Sequence, residues 1–154
     1  MAVSVKKTSL WRKEVDNRPG ALARSLEPLA DAGADLEILM AYSMGQNAAI
    51  EVAPITGKRN TATAERAGFA EARVPAVVVS GDNRAGLGHA FSRAIAEAGI
   101  NVSFVVAHVV GSRFSSVFGF DSEADADRAI PLLKTAATAR RTKSASARMP
   151  VARA

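Results

Sequence analysis

The amino-acid sequence predicts an α+β fold made of two ferredoxin-like βαββαβ units in tandem, each with an antiparallel sheet and its helices on one face. Three observations predict this fold. A turn motif occurs twice, and apolar residues follow a helical period after each copy. In each unit, two strand-like stretches are then joined by a glycine-containing turn. A chain of 154 residues can form one domain or two small ones, and the repeat favours two.

The repeated motif places Asp-Asn-Arg before a glycine at the predicted junction of a strand and a helix. The second copy begins 66 residues after the first, and the two align without a gap. Each predicted helix ends at a matching glycine, Gly33 or Gly99. The residues of the two copies are Asp16, Asn17, Arg18, Pro19, Gly20, Ala21 and Leu22, and then Asp82, Asn83, Arg84, Ala85, Gly86 and Leu87.

The first unit is predicted to cover residues 1–74. A strand at 3–15 leads into the first turn, where Asp and Asn favour a helix cap. The helix then runs to about residue 32, and Pro28 predicts a kink or a shortened helix. The remaining elements are strands at 35–44 and 48–55 around a hairpin turn, a polar loop at 56–60, a short helix at 61–67 and a strand at 69–73.

The second unit is predicted to cover residues 75–137, with Pro75 as the boundary. A strand at 76–80, a helix that buries Leu87, Phe91 and Ile95, a hairpin of 101–110 and 114–120, and a last helix follow in order. Ser122 with Asp125 predicts a capping box for the last helix, and Phe114, Phe118 and Phe120 are predicted core residues. No fourth strand is recognisable, so we expect an open sheet edge, which favours pairing with a second chain.

Composition and charge exclude several classes of function. The chain has no cysteine, which excludes disulfides, thiolate metal sites and thiol nucleophiles. It has no apolar stretch long enough for a membrane helix and no signal peptide in residues 1–13, so we expect a cytoplasmic protein. The net charge of +5 arises from residues 138–154, which we predict to be a disordered basic tail. The neutral remainder makes a nucleic-acid interface an unfavoured interpretation.

Candidate catalytic and metal-binding residues are few. His89 and His108 are the only imidazoles, and they lack the spacing of a zinc site. A catalytic pair, or a metal site that includes Asp82, is the less favoured interpretation of these histidines. Gly86-Leu87-Gly88 lacks the third glycine of a dinucleotide fingerprint. We therefore expect no metal, no cofactor, no catalytic residue and no enzymatic activity.

With these motifs, the sequence resembles the ACT domain. The resemblance lies in the two turns and in Ala-Asp-Ala-Gly-Ala-Asp-Leu and Ala-Gly-Ile-Asn-Val before the second strand of each unit, and it covers about residues 8–137. ACT domains are small-molecule sensors, most often for amino acids, and usually regulate an attached enzyme. The resemblance implies a free-standing double-ACT protein that pairs side by side as a homodimer and acts on an enzyme partner.

The resemblance also implies a ligand site where a strand–helix turn of one domain meets the second strand of its neighbour. An amino acid suits such a site, because a helix N-terminus attracts a carboxylate and the turn glycines allow close approach. The second copy has Ala85 in place of the family's proline, and the first has Asp35 where the family often has asparagine, so both copies stay open as the binding copy. The implied residues are the two turns, 16–22 and 82–87, with Asp35, Leu36, Asn101 and Val102.

Two alternatives remain. The same fold can serve as a ligand-free scaffold that dimerises or docks on a metabolic enzyme. A small enzyme is the third hypothesis. It is less favoured because no set of candidate acids, bases and nucleophiles clusters in the sequence.

Overall fold

The computed structural model describes residues 3–139, which form one antiparallel sheet of six strands and four helices. The predicted tail, from residue 140 onward, lies outside the described residues. None of the helices within residues 3–139 is long and apolar enough to cross a membrane. The elements are β1 (Ser4–Asp16), α1 (Ala21–Asp31), β2 (Ile38–Met44), β3 (Asn47–Ala53), α2 (Lys58–Arg66), β4 (Ala70–Asp82), α3 (Leu87–Glu97), β5 (Val102–Val110), β6 (Arg113–Phe120) and α4 (Glu123–Thr138).

The sheet contains two overlapping ferredoxin-like units, which confirms the predicted fold class. Its strand order is β2-β3-β1-β4-β6-β5. The first unit uses β2-β3-β1-β4 and the second uses β1-β4-β6-β5. The two central strands belong to both units because each has 13 residues, about twice the usual strand length.

The predicted open edge of the second unit is wrong. The first half of β1 pairs with the second half of β4, from Ser4 opposite Ser80 to Thr8 opposite Ala76. The beginning of the chain therefore fills the position of the missing fourth strand. The second half of β1 pairs with β3 in the first unit, from Trp11 opposite Val52 to Asp16 opposite Asn47.

The prediction of two separate strands at 69–73 and 76–80 is also wrong, because β4 continues through Pro75. Pro75 lies opposite Ser9, and the register between β1 and β4 shifts between Ser9 and Trp11. A proline, which has no N–H to donate, is tolerated at such an irregularity. The division into units at residues 1–74 and 75–137 stays a prediction, in which residues of β1 complete the second sheet.

The helix starts differ in part from the predicted ones. Both α1 and α3 begin after a left-handed glycine, Gly20 with φ 83° and Gly86 with φ 82°, and neither has a side-chain cap. The left-handed backbone explains the glycine, since a Cβ is disfavoured there. Pro28 lies inside α1 without ending it. The predicted cap of α4 is confirmed, because the Asp125 N–H donates to Ser122 Oγ at 3.1 Å.

The helices cover one face of the sheet and bury most of the core there. The first unit packs Trp11, Leu29 and Phe69 together. The second packs Phe91, Leu133 and the predicted core residues Phe114, Phe118 and Phe120. Among residues 3–139 no helix lies on the opposite face of the sheet, where a small cluster of Leu10, Ala53, Ala76 and Val117 from β1, β3, β4 and β6 is buried.

Candidate functional site

The first turn is fastened to the hairpin of β2 and β3. The Asn17 N–H donates to Gln46 O at 2.8 Å, and Asn17 Nδ2 donates to Gly45 O at 3.2 Å. The Arg18 N–H donates to Asp16 O at 2.9 Å, which closes the bend. The second turn has the same backbone hydrogen bond to its hairpin, because the Asn83 N–H donates to Ser112 O at 2.8 Å. In each unit the turn therefore lies beside the end of the second strand.

The arginines of the two turns have different surroundings. Arg84 Nη2 donates to Ala136 O at 2.7 Å, which ties the second turn to the last turns of α4. Its buried Nε has no hydrogen-bond partner among residues 3–139. Arg18 is exposed in the first unit, which has no such long helix beside the turn. Arg24 lies over Gly20, with its Nη1 2.7 Å from where a Cβ of that glycine would stand.

Each of these helices begins with amides that make no hydrogen bond to the described residues. In α1 these are the N–H groups of Leu22 and Ala23, and in α3 those of Gly88 and His89. The first turn of neither helix contains an acidic side chain. A helix start of this kind carries a partial positive charge and attracts an anionic group.

A cleft adjoins each turn on the helix-covered face of the sheet. The first cleft, with a volume of about 210 Å³, lies between the start of α1 and strands β2 and β3. It is lined by Val15, Asp16, Asn17, Arg18, Ala21, Leu22, Ala41, Tyr42, Ser43, Ala48 and Ile50.

The second cleft, with a volume of about 310 Å³, lies between the start of α3 and strands β5 and β6. It is more apolar than the first. It is lined by Asn83, Leu87, Gly88, Phe91, Ser92, Val105, Ala107, His108, Val109, Phe114, Ser116 and Phe118.

The remaining predicted site residues lie at the other end of each unit. Asp35 and Leu36 precede β2, whose first residue pairs with Ala53. Six residues separate Ala53 from Asn47, the partner of Asp16, which corresponds to about 20 Å along the strand. Asn101 and Val102 are placed in the same way, since Val102 lies opposite Phe120 at the far end of the hairpin.

One chain therefore brings the turns together with the ends of β2 and β5, and not with their starts. The sequence analysis did not single out Ala41, Ser43, Ala107 and Val109 in these clefts. The 66-residue register of the repeat relates Ala41 to Ala107 and Ser43 to Val109. This register was the feature of the sequence from which these cleft residues could have been identified.

The two turns are also far from one another within the chain. Asp16 ends β1, and Asp82 follows the part of β4 that pairs with the start of β1. The 13 residues of β1 span about 40 Å. The two clefts are therefore separate sites and do not form one pocket.

A polar network lies on the helix-free face of the first unit. Arg12 donates to Tyr42 Oη at 2.8 Å, to Glu51 Oε1 at 3.2 Å and to Glu14 Oε1 at 2.8 Å. The Glu14 carboxylate raises the pKa of Arg12, and the hydrogen bonds to Tyr42 and Glu51 add to this effect against the cost of burial. Glu51 is only 4% exposed, and Arg12 and Tyr42 are the side chains that donate hydrogen bonds to its carboxylate.

The candidate metal-binding residues do not form a metal site in the described part of the chain. His89 and His108 are exposed. No group of three or more histidine or acidic side chains in residues 3–139 is placed to hold a metal ion.

The fold is similar to that of several solved structures, although no family model and no curated protein matches the sequence. A protein from Bacteroides thetaiotaomicron matches with a TM-score of 0.69 and 16% identity, over 84% of this chain and 88% of that one. The ligand-free regulatory subunit of aspartate kinase from Thermus thermophilus matches with a TM-score of 0.61 and 16% identity, over 88% and 97% of the two chains. The corresponding Thermus flavus subunit has a TM-score of 0.56 and 18% identity, with the same coverage. The chain therefore has the fold of aspartate kinase regulatory subunits.

Proposed function

We propose that this protein is a non-enzymatic regulatory protein that senses an amino acid, which binds at the strand–helix turns. The observation that carries the proposal is that each turn combines a cleft with free helix-start amides, and that this combination occurs twice. The similarity in fold to regulatory subunits of aspartate kinase supports a regulatory role over a catalytic one.

The chemistry of the first cleft suits a zwitterion. The amides of Leu22 and Ala23 can receive a carboxylate, and the exposed guanidinium of Arg18 adds positive charge. Asp16 lines the same cleft, and its carboxylate is the proposed partner for an ammonium group. The predicted binding residues 16–22 and 82–87 keep this role in the proposal.

A homodimer is part of the proposal and involves the other predicted residues. Strands β2 and β5 are the outer edges of the sheet and carry exposed apolar side chains, including Leu39 and Val110. Antiparallel pairing of such an edge with the same edge of a second copy places the start of one strand beside the end of the other. This arrangement would bring Asp35 and Leu36 of one copy, or Asn101 and Val102, towards a turn of the other.

The ligand-free scaffold remains a second candidate, favoured by the same exposed edges. Thermal unfolding in the presence of each of the twenty amino acids separates the two. A ligand at a hundred times its Kd stabilises the folded state by about 2.7 kcal/mol, which raises the Tm by roughly 5–10 °C. The corresponding amino-acid amide, which lacks the carboxylate, is the matched control and should give a much smaller shift. If none of the twenty amino acids raises the Tm, the ligand-free scaffold is the favoured function.

A further inference from the structure

The two clefts have the same backbone plan but different side chains. The 66-residue register of the repeat continues through both hairpins, so eight of the eleven residues that line the first cleft have a counterpart in the second. At some positions a small or polar residue of the first cleft corresponds to a larger apolar residue of the second, whereas Ile50 of the first corresponds to Ser116 of the second. Ser43 corresponds to Val109, and Ala48 corresponds to Phe114.

The second cleft is open where the first is filled. Leu22 lines the first cleft, and its counterpart in the second is Gly88. A Cβ at Gly88 would meet no atom within 4 Å, so the space above this residue is empty. This substitution is consistent with the larger volume of the second cleft, about 310 Å³ against 210 Å³.

The walls of the second cleft are mainly apolar. The ring of Phe91 lies 5.6 Å from that of Phe114 and 5.7 Å from that of Phe118, measured between ring centroids. These three rings are buried, and Phe91 packs against both of the others. Val105 and Val109 line the cleft from β5 and remain about half exposed. A ligand side chain that covers these valines would remove apolar surface from water, which is favourable.

The second cleft also has a polar end at the start of α3. The amides of Gly88 and His89 make no hydrogen bond to the described residues, and Asn83 lines the same cleft. A ligand that suits both parts has a carboxylate at one end and a bulky apolar group a few bonds away. The volume is at the lower limit for small-molecule sites, which suits a ligand of amino-acid size.

We propose that the second cleft selects amino acids with a large apolar side chain, aliphatic or aromatic, and that Gly88 provides the space for that side chain. This inference rests on the proposed amino-acid sensing and assigns a ligand class to one of its two sites.

Isothermal titration of the full chain with leucine, phenylalanine, alanine and serine tests the selection. Each additional buried methylene group adds roughly the same amount to the binding free energy. Leucine should therefore bind about fifty-fold more tightly than alanine. Equal affinity for leucine and alanine would overturn the proposal.

Two substitutions in the cleft, G88L and then V109S, and one control outside it, A96L, locate the selection. G88L reproduces the first copy and fills the cleft, and it should weaken leucine binding more than tenfold. A96L adds the same side chain at an exposed position of the same helix outside the cleft, so it should leave leucine binding unchanged. V109S makes one wall polar and should weaken leucine binding by several-fold. This second variant provides the test if G88L does not fold.

The outcomes distinguish this inference from the proposed function. If no amino acid binds, both fail. If serine or another polar amino acid binds and G88L leaves that affinity unchanged, while leucine does not bind, the sensing function stands and the apolar selection is overturned. If leucine binds equally well to the parent protein, G88L and A96L, the second cleft is not its site.

Discussion

The two units of the sheet share a backbone plan, yet their counterpart positions contain different chemistry. On the helix-free face, Arg12 and Glu51 of the first unit correspond to Val78 and Val117 of the second, 66 residues later. The backbone hydrogen bond from the asparagine N–H of the turn to the hairpin is present in both units. The comparison teaches that the repeat preserves the bend, the helix start and the hairpin register, whereas the side chains that face a cleft or the helix-free face have diverged.

The largest expected effect comes from making the first unit resemble the second on its helix-free face. R12V removes the cation beside Glu51, whose side chain is 5% exposed, and should lower the free energy of unfolding by about 2–4 kcal/mol. E51V should lower the free energy of unfolding by less, because Arg12 is partly exposed and keeps Glu14 as a partner. Urea unfolding measures both free energies.

The double variant R12V/E51V is the control for this interpretation. It reproduces the valine pair of the second unit and should recover most of the loss, because apolar pairs often replace buried ion pairs without cost. A double variant that is less stable than R12V alone would contradict the idea that the two faces are interchangeable.

The next effect concerns a packing difference between the hairpins. Gly119 lies opposite Phe104, and its counterparts in the first unit are Ala53 opposite Ile38. A Cβ at Gly119 would stand 2.1 Å from Phe104 Cε1, so G119A should cost about 1–3 kcal/mol of stability. The double variant G119A/F104I reproduces the first unit and should be more stable than G119A. Equal stability of the two variants in urea unfolding would show that the clash is not the cause.

A smaller effect distinguishes the two ways in which helices begin in this protein. S122A removes the acceptor for the Asp125 N–H and should lower stability by about 1 kcal/mol. G86A places a Cβ at φ 82° and should cost a similar amount through backbone strain. Thermal unfolding of both variants checks this. S122G should be milder than S122A, since glycine is itself an acceptable N-cap.

The smallest effect belongs to a contact that only the second unit has. Hydrogen bonds from Ser103 and Asn101 lower the pKa of Asp121, whose counterpart in the first unit is Ile55. Because the pKa is lower in the folded state, the contribution to stability is present above the unfolded value of about 3.9 and is lost as the pH falls through the folded value. S103A should raise the pKa of Asp121, which NMR titration of its carboxyl carbon measures. An unchanged pKa in S103A would show that this hydrogen bond is not its cause.

The sequence was sufficient to predict the parts of the fold that depend on local patterns. The turn motif, the helical period of Leu87, Phe91 and Ile95, and the hairpin glycines each reflect interactions between residues close in the chain. The capping of α4 by Ser122 is also local, since it spans three residues.

The parts that the sequence analysis missed depend on distant pairing. The fourth strand of the second unit comes from residues 4–8, about seventy positions away from their partners in β4. The unusual length of β1, predicted at 3–15, was the available sign that this strand serves two units. The continuation of β4 through Pro75 depends on an irregularity opposite Ser9, which a proline alone does not reveal.

Only part of the candidate site could be predicted, because its shape also depends on residues that are distant in the chain. Each turn could be recognised locally, whereas the strand residues of its cleft lie about 20 or 30 residues away, in the hairpin. The divergence between Gly88 and Leu22 was visible in the aligned repeat. Its meaning required knowledge of which face of α3 lines the cleft.

The most direct test of amino-acid sensing at the turns is an NMR titration of the labelled full chain with the amino acid that stabilises it most. We predict the largest amide shifts at the helix starts: at Gly88 and His89 for leucine or phenylalanine, and at Leu22 and Ala23 for a polar ligand. Saturable shifts confined to the helix-free face of the sheet, or no saturable shift at any amide, would contradict the account.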